Sequence, residues 1–284
     1  MMPELANVNG KVVPANEAVI PAEDRGNLFG DGVYEVLRSY GGRLWGYARH
    51  WKRLERSLDE IGICNADLDR IDGWVRQTYE QSQIGDATVY FHITRGAAPR
   101  SHVWPEEMAP TFLMTVRPFV ARDHLSETGI HAITTPDQRW SRCDIKSLNL
   151  LPNVMAKQQA RSRQAYEAIL IDRDDRVVEG TSCAVICLTN GRLCAPPKDS
   201  TSILPSITRQ FVEEIAQKLG LPFEERFVPM KEFFAAEEAF LAGTGDEIMG
   251  ITHTDRLPIG NGQVGPWTRR IYEEYRSRIA KGED

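Results

Sequence analysis

Two glycine-containing turns, each next to short runs of β-prone residues, constrain the fold of this chain more than any other feature. The first is Asn9-Gly10. Both of its positions tolerate positive φ, so the dipeptide predicts a tight β-hairpin. The second is Gly41-Gly42, which follows the alternating run 33–40 and predicts another hairpin that returns through Arg43. The chain therefore begins with antiparallel strands.

Helices and further strands follow these hairpins. Helices are predicted where apolar residues recur at three- and four-residue spacing, in 51–61, 71–78, 211–219 and 267–279. Strands are predicted in short β-prone runs, at 88–94, 111–116, 131–134, 168–171, 184–188 and 240–242, with a third hairpin at Asn190-Gly191. Hairpins mixed with helices predict α+β domains with mixed sheets rather than a doubly wound dinucleotide-binding fold.

The length of 284 residues suits one large domain or two modest ones. A charged stretch without helical or strand periodicity separates the two halves, as is typical of a linker. We therefore predict a small N-terminal α/β domain over residues 1–118, a linker over 119–128 and a larger domain over 129–284.

Composition narrows the range of partners. The chain has 34 Lys and Arg against 40 Asp and Glu, a net charge of −6, which argues against nucleic acid as a partner. No apolar run approaches the ~18 residues of a membrane span, and the first residues show no secretory signal. The five cysteines are an odd number without CxxC spacing, which favours reduced thiols in the cytoplasm. No histidine pattern indicates a metal site.

One segment is a candidate anion site. In Ser202–Arg209 a proline and a small residue lead directly into a predicted helix. The free N–H groups and the positive dipole end of a helix suit a phosphate, although an ordinary helix cap has the same pattern. The glycine-rich run 26–32 fits neither common phosphate-loop motif.

Lys146 is a candidate catalytic amine. It lies in a short segment of apolar and hydrogen-bonding residues ahead of a helix. A partly desolvated lysine has a lowered pKa and can form a Schiff base, but most lysines are solvated surface groups. The lysine alone therefore does not decide between these interpretations.

Seven segments, in their order and spacing, resemble the class IV, fold-type IV aminotransferases that depend on pyridoxal phosphate. They are 24–26, 29–35, 50–54, 144–149, 166–170, 179–182 and 207–209. The resemblance spans nearly the whole chain. Within the family, 94–102 is similar to a segment of the D-amino-acid (D-alanine) aminotransferases, in which the pair Arg100-x-His102 is the discriminating feature.

The resemblance implies a two-domain fold whose larger domain is a pseudo-barrel, and it implies pyridoxal phosphate as cofactor. By it, Lys146 forms the Schiff base and transfers protons, and Glu179 faces the pyridine nitrogen and keeps it protonated. The remaining residues implied to bind the cofactor, mostly through its phosphate, are Arg53, Ser182, Thr244 and the N–H groups of Ile207 and Thr208.

The same resemblance implies a substrate site shared in a homodimer. Tyr34, Arg100 and His102 would hold the substrate α-carboxylate, with part of this set supplied by the partner subunit. The expected reaction moves an amino group from a D-amino acid, such as D-alanine or D-glutamate, to 2-oxoglutarate or pyruvate. The alternatives within the fold are an (R)-selective amine transaminase, a branched-chain L-aminotransferase and an aminodeoxychorismate lyase. A catalytically dead scaffold is the alternative outside enzymes.

Three departures from the family pattern concern the cofactor. Ser206 stands where a glycine is usual, and Cys183-Ala184 replaces the usual Ser-Asn. Thr244 has Gly243, Gly245 and Asp246 as neighbours instead of hydroxyl residues. The phosphate shell thus has fewer hydroxyls and a nearby acid, which predicts looser cofactor binding.

Overall fold

The computed structural model describes residues 4–284, and the chain forms two compact units. The first comprises the residues up to Val120 together with Ile145–Asn149, and the second comprises Ala121–Asp144 and Leu150–Asp284. Each unit combines a sheet with helices. The predicted mixture of strands and helices is therefore confirmed.

The first unit contains a six-stranded sheet in the order β2-β1-β6-β5-β3-β4. Its strands are β1 (Leu5–Val8), β2 (Lys11–Pro14), β3 (Gly32–Tyr40), β4 (Arg43–Leu44), β5 (Ala87–Thr94) and β6 (Thr111–Pro118). Its helices are α1 (Arg25–Phe29), α2 (Tyr47–Glu60) and α3 (Leu68–Ser82), with a 3₁₀ turn at Ala15–Glu17. All strand pairs in this sheet are antiparallel.

The hairpin predicted at Asn9-Gly10 is confirmed. Val8 pairs with Lys11, and the two turn residues have φ of 50° and 90°. A Cβ at Gly10 would lie 2.7 Å from the Trp74 ring, so this turn requires glycine for space as well as for backbone conformation.

The core of the first unit lies between one sheet face and α2 and α3. Alternate residues of β3, including Val33 and Leu37, are fully buried with Leu54 and Leu58 of α2. Period-2 alternation on the strand and 3.6-residue periodicity on the helix produce this packing. Glu35 lies between the two apolar positions of β3 and is also fully buried, so the core-facing side of the strand carries a charge.

Residues 145–149 pair with the first unit, although the sequence-based bounds placed them in the domain 129–284. The N–H of Tyr34 donates to the Lys146 carbonyl at 2.9 Å, and the N–H of Leu148 donates to Gly32 at 3.0 Å. The segment thus extends the edge of β3, and backbone pairing rather than chain order determines where it belongs. The stretch predicted as a linker, 119–128, contains a short helix, α4 (Asp123–Thr128).

The second unit contains a ten-stranded mixed sheet in the order β12-β11-β10-β14-β15-β7-β8-β9-β13, with β16 on β15. The strands are β7 (Ile130–Pro136), β8 (Glu167–Ile171), β9 (Arg176–Gly180), β10 (Ala184–Thr189), β11 (Arg192–Ala195), β12 (Phe223–Glu225), β13 (Val228–Pro229), β14 (Glu238–Gly243), β15 (Glu247–Thr254) and β16 (Leu257–Pro258). Its remaining helices are α5 (Leu151–Ser162), α6 (Ile207–Lys218), α7 (Met230–Phe234) and α8 (Pro266–Lys281).

This second sheet curves back on itself. β9 and β10 contact each other, although β14, β15, β7 and β8 separate them in the strand order. The curved sheet is a half-barrel around an apolar core that includes Ile169, Leu241 and Phe233, which agrees with the expected pseudo-barrel. No helix within residues 4–284 is both long and apolar enough to cross a membrane.

Candidate active site

Lys146 is held at the edge of β3 by its own backbone. Its N–H donates to Ser57 Oγ at 3.3 Å, and its carbonyl accepts from the N–H of Tyr34. The half-buried side chain places Nζ 4.3 Å from the centre of the Tyr34 ring. Two predicted site residues are therefore in contact, and the amine lies against an aromatic face rather than against a carboxylate.

A buried ion cluster of Glu35, His50 and Arg53 lies in the same unit. Arg53 donates from Nε to Glu35 Oε1 and from Nη2 to Oε2, both at 2.8 Å. His50 Nδ1 lies 2.8 Å from the same Oε2. Arg53 and His50 come from one face of α2, and Glu35 comes from the core side of β3. The residue predicted to bind phosphate thus has a fixed, forked contact with a buried acid.

The charges in this cluster decide the protonation of its members. Burial would raise the pKa of Glu35, but the charge and hydrogen bonds of Arg53, together with His50, hold it well below its usual range. Burial lowers the pKa of His50 against the opposing charge of Glu35, and the positive charges of Arg53 and Lys146 lower it further. An ionised Glu35 and a neutral His50 follow from this.

Tyr34 lies on the opposite face of β3 from Glu35. Its ring is 5.8 Å from that of Tyr90 on β5, and Tyr90 forms a 2.9 Å hydrogen bond with His92 Nδ1. Burial raises the pKa of Tyr90 to about 12, so its hydroxyl keeps its proton. Polar aromatic side chains thus cover the sheet face beside the Lys146 amine.

Arg100 and His102 lie in an exposed loop of the first unit. The Arg100 guanidinium is 5.2 Å from the centre of the Phe29 ring, and the His102 ring packs edge-on to Phe29 at 5.5 Å. Arg25 fixes the loop backbone through the carbonyls of Ser101, at 2.6 Å, and His102, at 3.2 Å. The loop backbone is anchored while both predicted carboxylate-binding side chains face outwards.

Glu179 is the penultimate residue of β9 in the second unit and is buried. Arg139 donates a hydrogen bond to Oε1, and the N–H of Leu204 lies 3.3 Å from each carboxylate oxygen. Arg139 is itself fixed, because it makes two side-chain bonds to Asp137, at 3.0 and 2.8 Å, and one to the Ser202 carbonyl at 3.0 Å.

Burial raises the pKa of Glu179, against the charge of Arg139 and the Leu204 N–H. The Arg139 pKa is also raised, because the charges of Glu179 and Asp137 outweigh the effect of its burial. Oε1 is thus held by a strong cationic donor, while Oε2 has the long bond from Leu204. A carboxylate in this state favours a further positive donor.

The candidate anion site at the start of α6 is a capped helix N-terminus. Ser206 Oγ accepts the N–H of Arg209 at 3.2 Å, so the cap uses one of the first N–H groups. Those of Ile207 and Thr208 belong to the first turn, where a helix supplies no partner of its own. Ser206 Oγ also reaches the carbonyl of Ala242, at 3.4 Å, which joins this helix end to the end of β14.

Thr244 lies two residues after Ala242, in the turn between β14 and β15, and is half-buried. Three predicted residues, Ile207, Thr208 and Thr244, are therefore on two neighbouring chain segments of one unit. Ser182 lies in the connection from β9 to β10 and is exposed.

Three residues with clear structural roles carry no predicted role of their own. Arg139 is one of them. The sequence does contain a signal for its role, because Asp137 and Arg139 are two residues apart after the strand 130–136, and this spacing lets the guanidinium make a two-bond contact with the carboxylate. Glu35 and His50 are the other two: they belong to two of the seven segments that resemble the family, but the sequence assigns them no role. A glutamate between the core positions of a strand is the signal that indicates a buried ion pair.

Known proteins resemble this chain in sequence along nearly its whole length. A family model for amino-transferase class IV matches residues 32–254. The D-alanine aminotransferase of Bacillus licheniformis is 38% identical over 272 residues, covering 95% of each chain. The D-alanine aminotransferase of Staphylococcus epidermidis is 37% identical over 274 residues, covering 96% of each.

Solved structures show the same fold. A branched-chain aminotransferase from Thermoproteus uzoniensis, solved with norvaline, superposes with a TM-score of 0.88 and 27% identity over 99% of this chain and 96% of that one. The branched-chain aminotransferase of Thermobaculum terrenum in its PLP form gives a TM-score of 0.84 and 27% identity over 99% and 95%. With the family model and the two full-length relatives, these likenesses show that the chain belongs to the class IV aminotransferases, which use pyridoxal phosphate.

Proposed function

We propose that this chain catalyses transamination between a D-amino acid, such as D-alanine or D-glutamate, and a 2-keto acid, such as 2-oxoglutarate or pyruvate. The observation that carries the proposal is the likeness to D-alanine aminotransferases along about 95% of the chain. The contact between Lys146 and Tyr34 supports it, because it brings the proposed amine to a proposed substrate-binding residue.

The residues present fit pyridoxal phosphate in two respects. Glu179 Oε2 is a buried carboxylate oxygen with one long hydrogen bond, which suits a protonated ring nitrogen. The first turn of α6 offers the N–H groups of Ile207 and Thr208 beside the turn of Thr244, which suits a phosphate. We assign these residues to the cofactor, with the exposed Ser182 as a further contact.

We also assign Arg53 to the cofactor phosphate, as the resemblance to the family implies. Glu35 fixes the orientation of its guanidinium through two hydrogen bonds of 2.8 Å. Because the pair is buried, the guanidinium is held without loss of side-chain entropy when an anion binds. Glu35 and His50 are thus positioning residues that act through Arg53.

When bound, pyridoxal phosphate supplies an electron sink for the charge released at the substrate Cα. Glu179 would hold the ring nitrogen in its protonated form by placing a carboxylate oxygen beside it. Lys146, the proposed point of covalent attachment, would take the proton from the substrate Cα at its Nζ and would deliver it to C4′ of the cofactor. The Tyr34 ring, 4.3 Å from Nζ, would limit the positions that Nζ can occupy.

Tyr34, Arg100 and His102 are proposed to bind the substrate α-carboxylate. The exposed positions of Arg100 and His102 suit a role in a partner's site, and Val103 and Trp104 beside them are 78% and 50% exposed. Exposed apolar side chains next to an anchored loop are typical of an interface. We therefore propose a homodimer, and the free thiols of all five cysteines support a cytoplasmic location.

Mixing two inactive variants tests the shared site. Lys146→Ala removes the amine and Arg100→Gln removes the guanidinium, so each homodimer is impaired. If Arg100 acts in the partner's site, random exchange of subunits restores roughly a quarter of wild-type turnover, because half of the dimers have one intact site. Absence of recovery in a mixture shown to contain heterodimers would contradict the shared site.

The branched-chain solved structures make an L-amino-acid aminotransferase the second candidate. Adding D-alanine, L-leucine or (R)-1-phenylethylamine to holoenzyme separates the possibilities by the loss of the visible absorbance of the bound cofactor. We expect bleaching by D-alanine. Bleaching by L-leucine without bleaching by D-alanine overturns the substrate proposal. Borohydride reduction followed by mass spectrometry should place the cofactor on Lys146, and an adduct elsewhere overturns the mechanism.

A further inference from the structure

The turn between β14 and β15 carries an acid with little exposed surface next to the proposed phosphate site. Asp246 has a side chain that is 10% exposed, and its Oδ2 would lie 3.6 Å from a Cβ built at Gly243. Gly243 directly follows Ala242, whose carbonyl accepts from Ser206 Oγ at the start of α6. The acid therefore lies in the same small region as Thr244 and the helix N-terminus. A role for this acid in cofactor binding rests on the proposed function, because the cofactor phosphate must bind there.

Asp246 has two partners within its unit. The Tyr166 hydroxyl donates to Oδ1 at 2.5 Å, and Arg122 Nη1 lies 3.5 Å from the same oxygen. Arg122 also donates to the Tyr166 hydroxyl oxygen at 2.7 Å. Tyr166 thus stands between a cation and an anion and is hydrogen-bonded to both, the arrangement of an ionised carboxylate that is only partly neutralised.

The surrounding charges leave this negative charge in place. Lys157 Nζ lies 4.5 Å from the centre of the Tyr166 ring, but its 2.8 Å ion pair with the fully buried Glu167 makes that pair neutral as a whole. The Arg122 side chain is 50% exposed, so water screens its attraction for Asp246. The carboxylate of Asp246, in contrast, is largely shielded from water. Away from water, charges interact over longer distances.

A phosphate with nearly two negative charges, bound at the start of α6, would be repelled by this carboxylate. This repulsion works against the attraction of the phosphate to the N–H groups at the start of α6. It is smaller when the Arg122 guanidinium partly offsets the charge of Asp246 and the Tyr166 hydroxyl donates to its carboxylate. We propose that Asp246 lowers the affinity of this protein for the phosphate group of its cofactor, and that Arg122, acting through Tyr166, is a positioning residue that limits this loss.

The test uses Asp246→Asn, Arg122→Gln and their combination in the full-length chain. Asparagine keeps an oxygen that can accept the Tyr166 hydroxyl, so the fold around the turn is preserved. Asp199→Asn and Arg173→Gln change the same charges at exposed positions and serve as matched controls. Binding of inorganic phosphate, and separately of pyridoxal phosphate, is measured by calorimetry after the cofactor has been removed. Because burial raises the pKa of Asp246, the measurements are made at about pH 8, well above the ordinary range of a carboxyl group.

We expect Asp246→Asn to bind inorganic phosphate at least about tenfold more tightly than the wild type. Arg122→Gln should bind it about threefold more weakly, and Arg122→Lys should restore most of this loss because it restores the charge. In the Asp246→Asn background, Arg122→Gln should have no effect, since the charge that it offsets is gone.

Unchanged or weaker phosphate binding by Asp246→Asn overturns the proposal, as does an equal effect of Arg122→Gln in both backgrounds. An Arg122→Gln effect no larger than that of Arg173→Gln overturns it as well. These results are distinct from failure of the proposed function, which would appear as a wild-type chain that does not bind pyridoxal phosphate at all.

Discussion

Glu35 in the first unit and Glu179 in the second are both buried glutamates held by an arginine, yet their pKa values shift in opposite directions. Glu35 accepts two bonds from Arg53 and one contact from His50, and its pKa falls. Glu179 shares Arg139 with Asp137 and otherwise has only the long Leu204 contacts among residues 4–284, and its pKa rises.

The difference shows which carboxylate has enough hydrogen-bonding and charged partners for its burial and which does not. Glu35 has a partner for each oxygen and no remaining need for a ligand, so its role is to hold Arg53 and α2 in place. The partners of Glu179 stabilise its ionised form less than burial destabilises it, and a positive group beside it would supply the missing stabilisation. This contrast favours Glu179 as a cofactor ligand and Glu35 as a positioning residue.

The largest expected effect comes from Glu179→Gln. An amide does not keep a proton on the ring nitrogen, so we expect kcat for D-alanine to fall about 10³-fold, comparable with loss of a strong electrostatic contact at a reacting centre. Folding should change little, because the amide still accepts from Arg139. Steady-state kinetics on cofactor-loaded protein measures the effect, with the exposed Glu237→Gln as control. A loss of less than fivefold would remove Glu179 from the proposed mechanism.

Glu35→Gln is expected to act on stability instead. Removing one member of a buried ion cluster leaves Arg53 without its counter-charge, which costs about 3 kcal/mol of unfolding free energy. Urea unfolding of the variant against the wild type measures this cost. If the variant were as stable as the wild type but had lost 10³-fold in kcat, Glu35 would be the catalytic carboxylate and the contrast would be reversed.

Local features of the fold can be predicted from the sequence, whereas long-range contacts cannot. The hairpin at Asn9-Gly10 and the strand 33–40 follow from turn chemistry and alternation, which are local, and the structure contains both. The pairing of residues 145–149 with β3 joins segments more than a hundred residues apart, so no periodicity could reveal it. For the same reason Arg122, Tyr166 and Asp246 could not be recognised together before folding.

Arg139→Lys tests how much the fork to Glu179 and Asp137 matters. A lysine keeps the charge but cannot make the bidentate contact with Asp137 while also holding Glu179. We expect a protein that folds normally and has about tenfold lower kcat, because Glu179 is less well oriented. Arg142→Lys is the control, since Arg142 is 37% exposed on its ion pair with Asp144. Equal kinetics for the two lysine variants would mean that the orientation of Glu179 does not depend on this fork.

The smallest effect is on the pH dependence of stability, where the two glutamates should differ in sign. The folded-state pKa of Glu35 is lowered, so its contribution is present above the ordinary glutamate pKa and is lost as pH falls towards the folded value. The folded-state pKa of Glu179 is raised, so the protein loses stability as pH rises from the ordinary value through the raised one. Urea midpoints of the cofactor-free chain between pH 3 and pH 7 should therefore become less acid-sensitive in Glu35→Gln. In Glu179→Gln they should lose the decline on the alkaline side of this window. Slopes that change in the same direction in both variants would show that the two carboxylates have the same protonation behaviour, and the contrast between the two glutamates would fail.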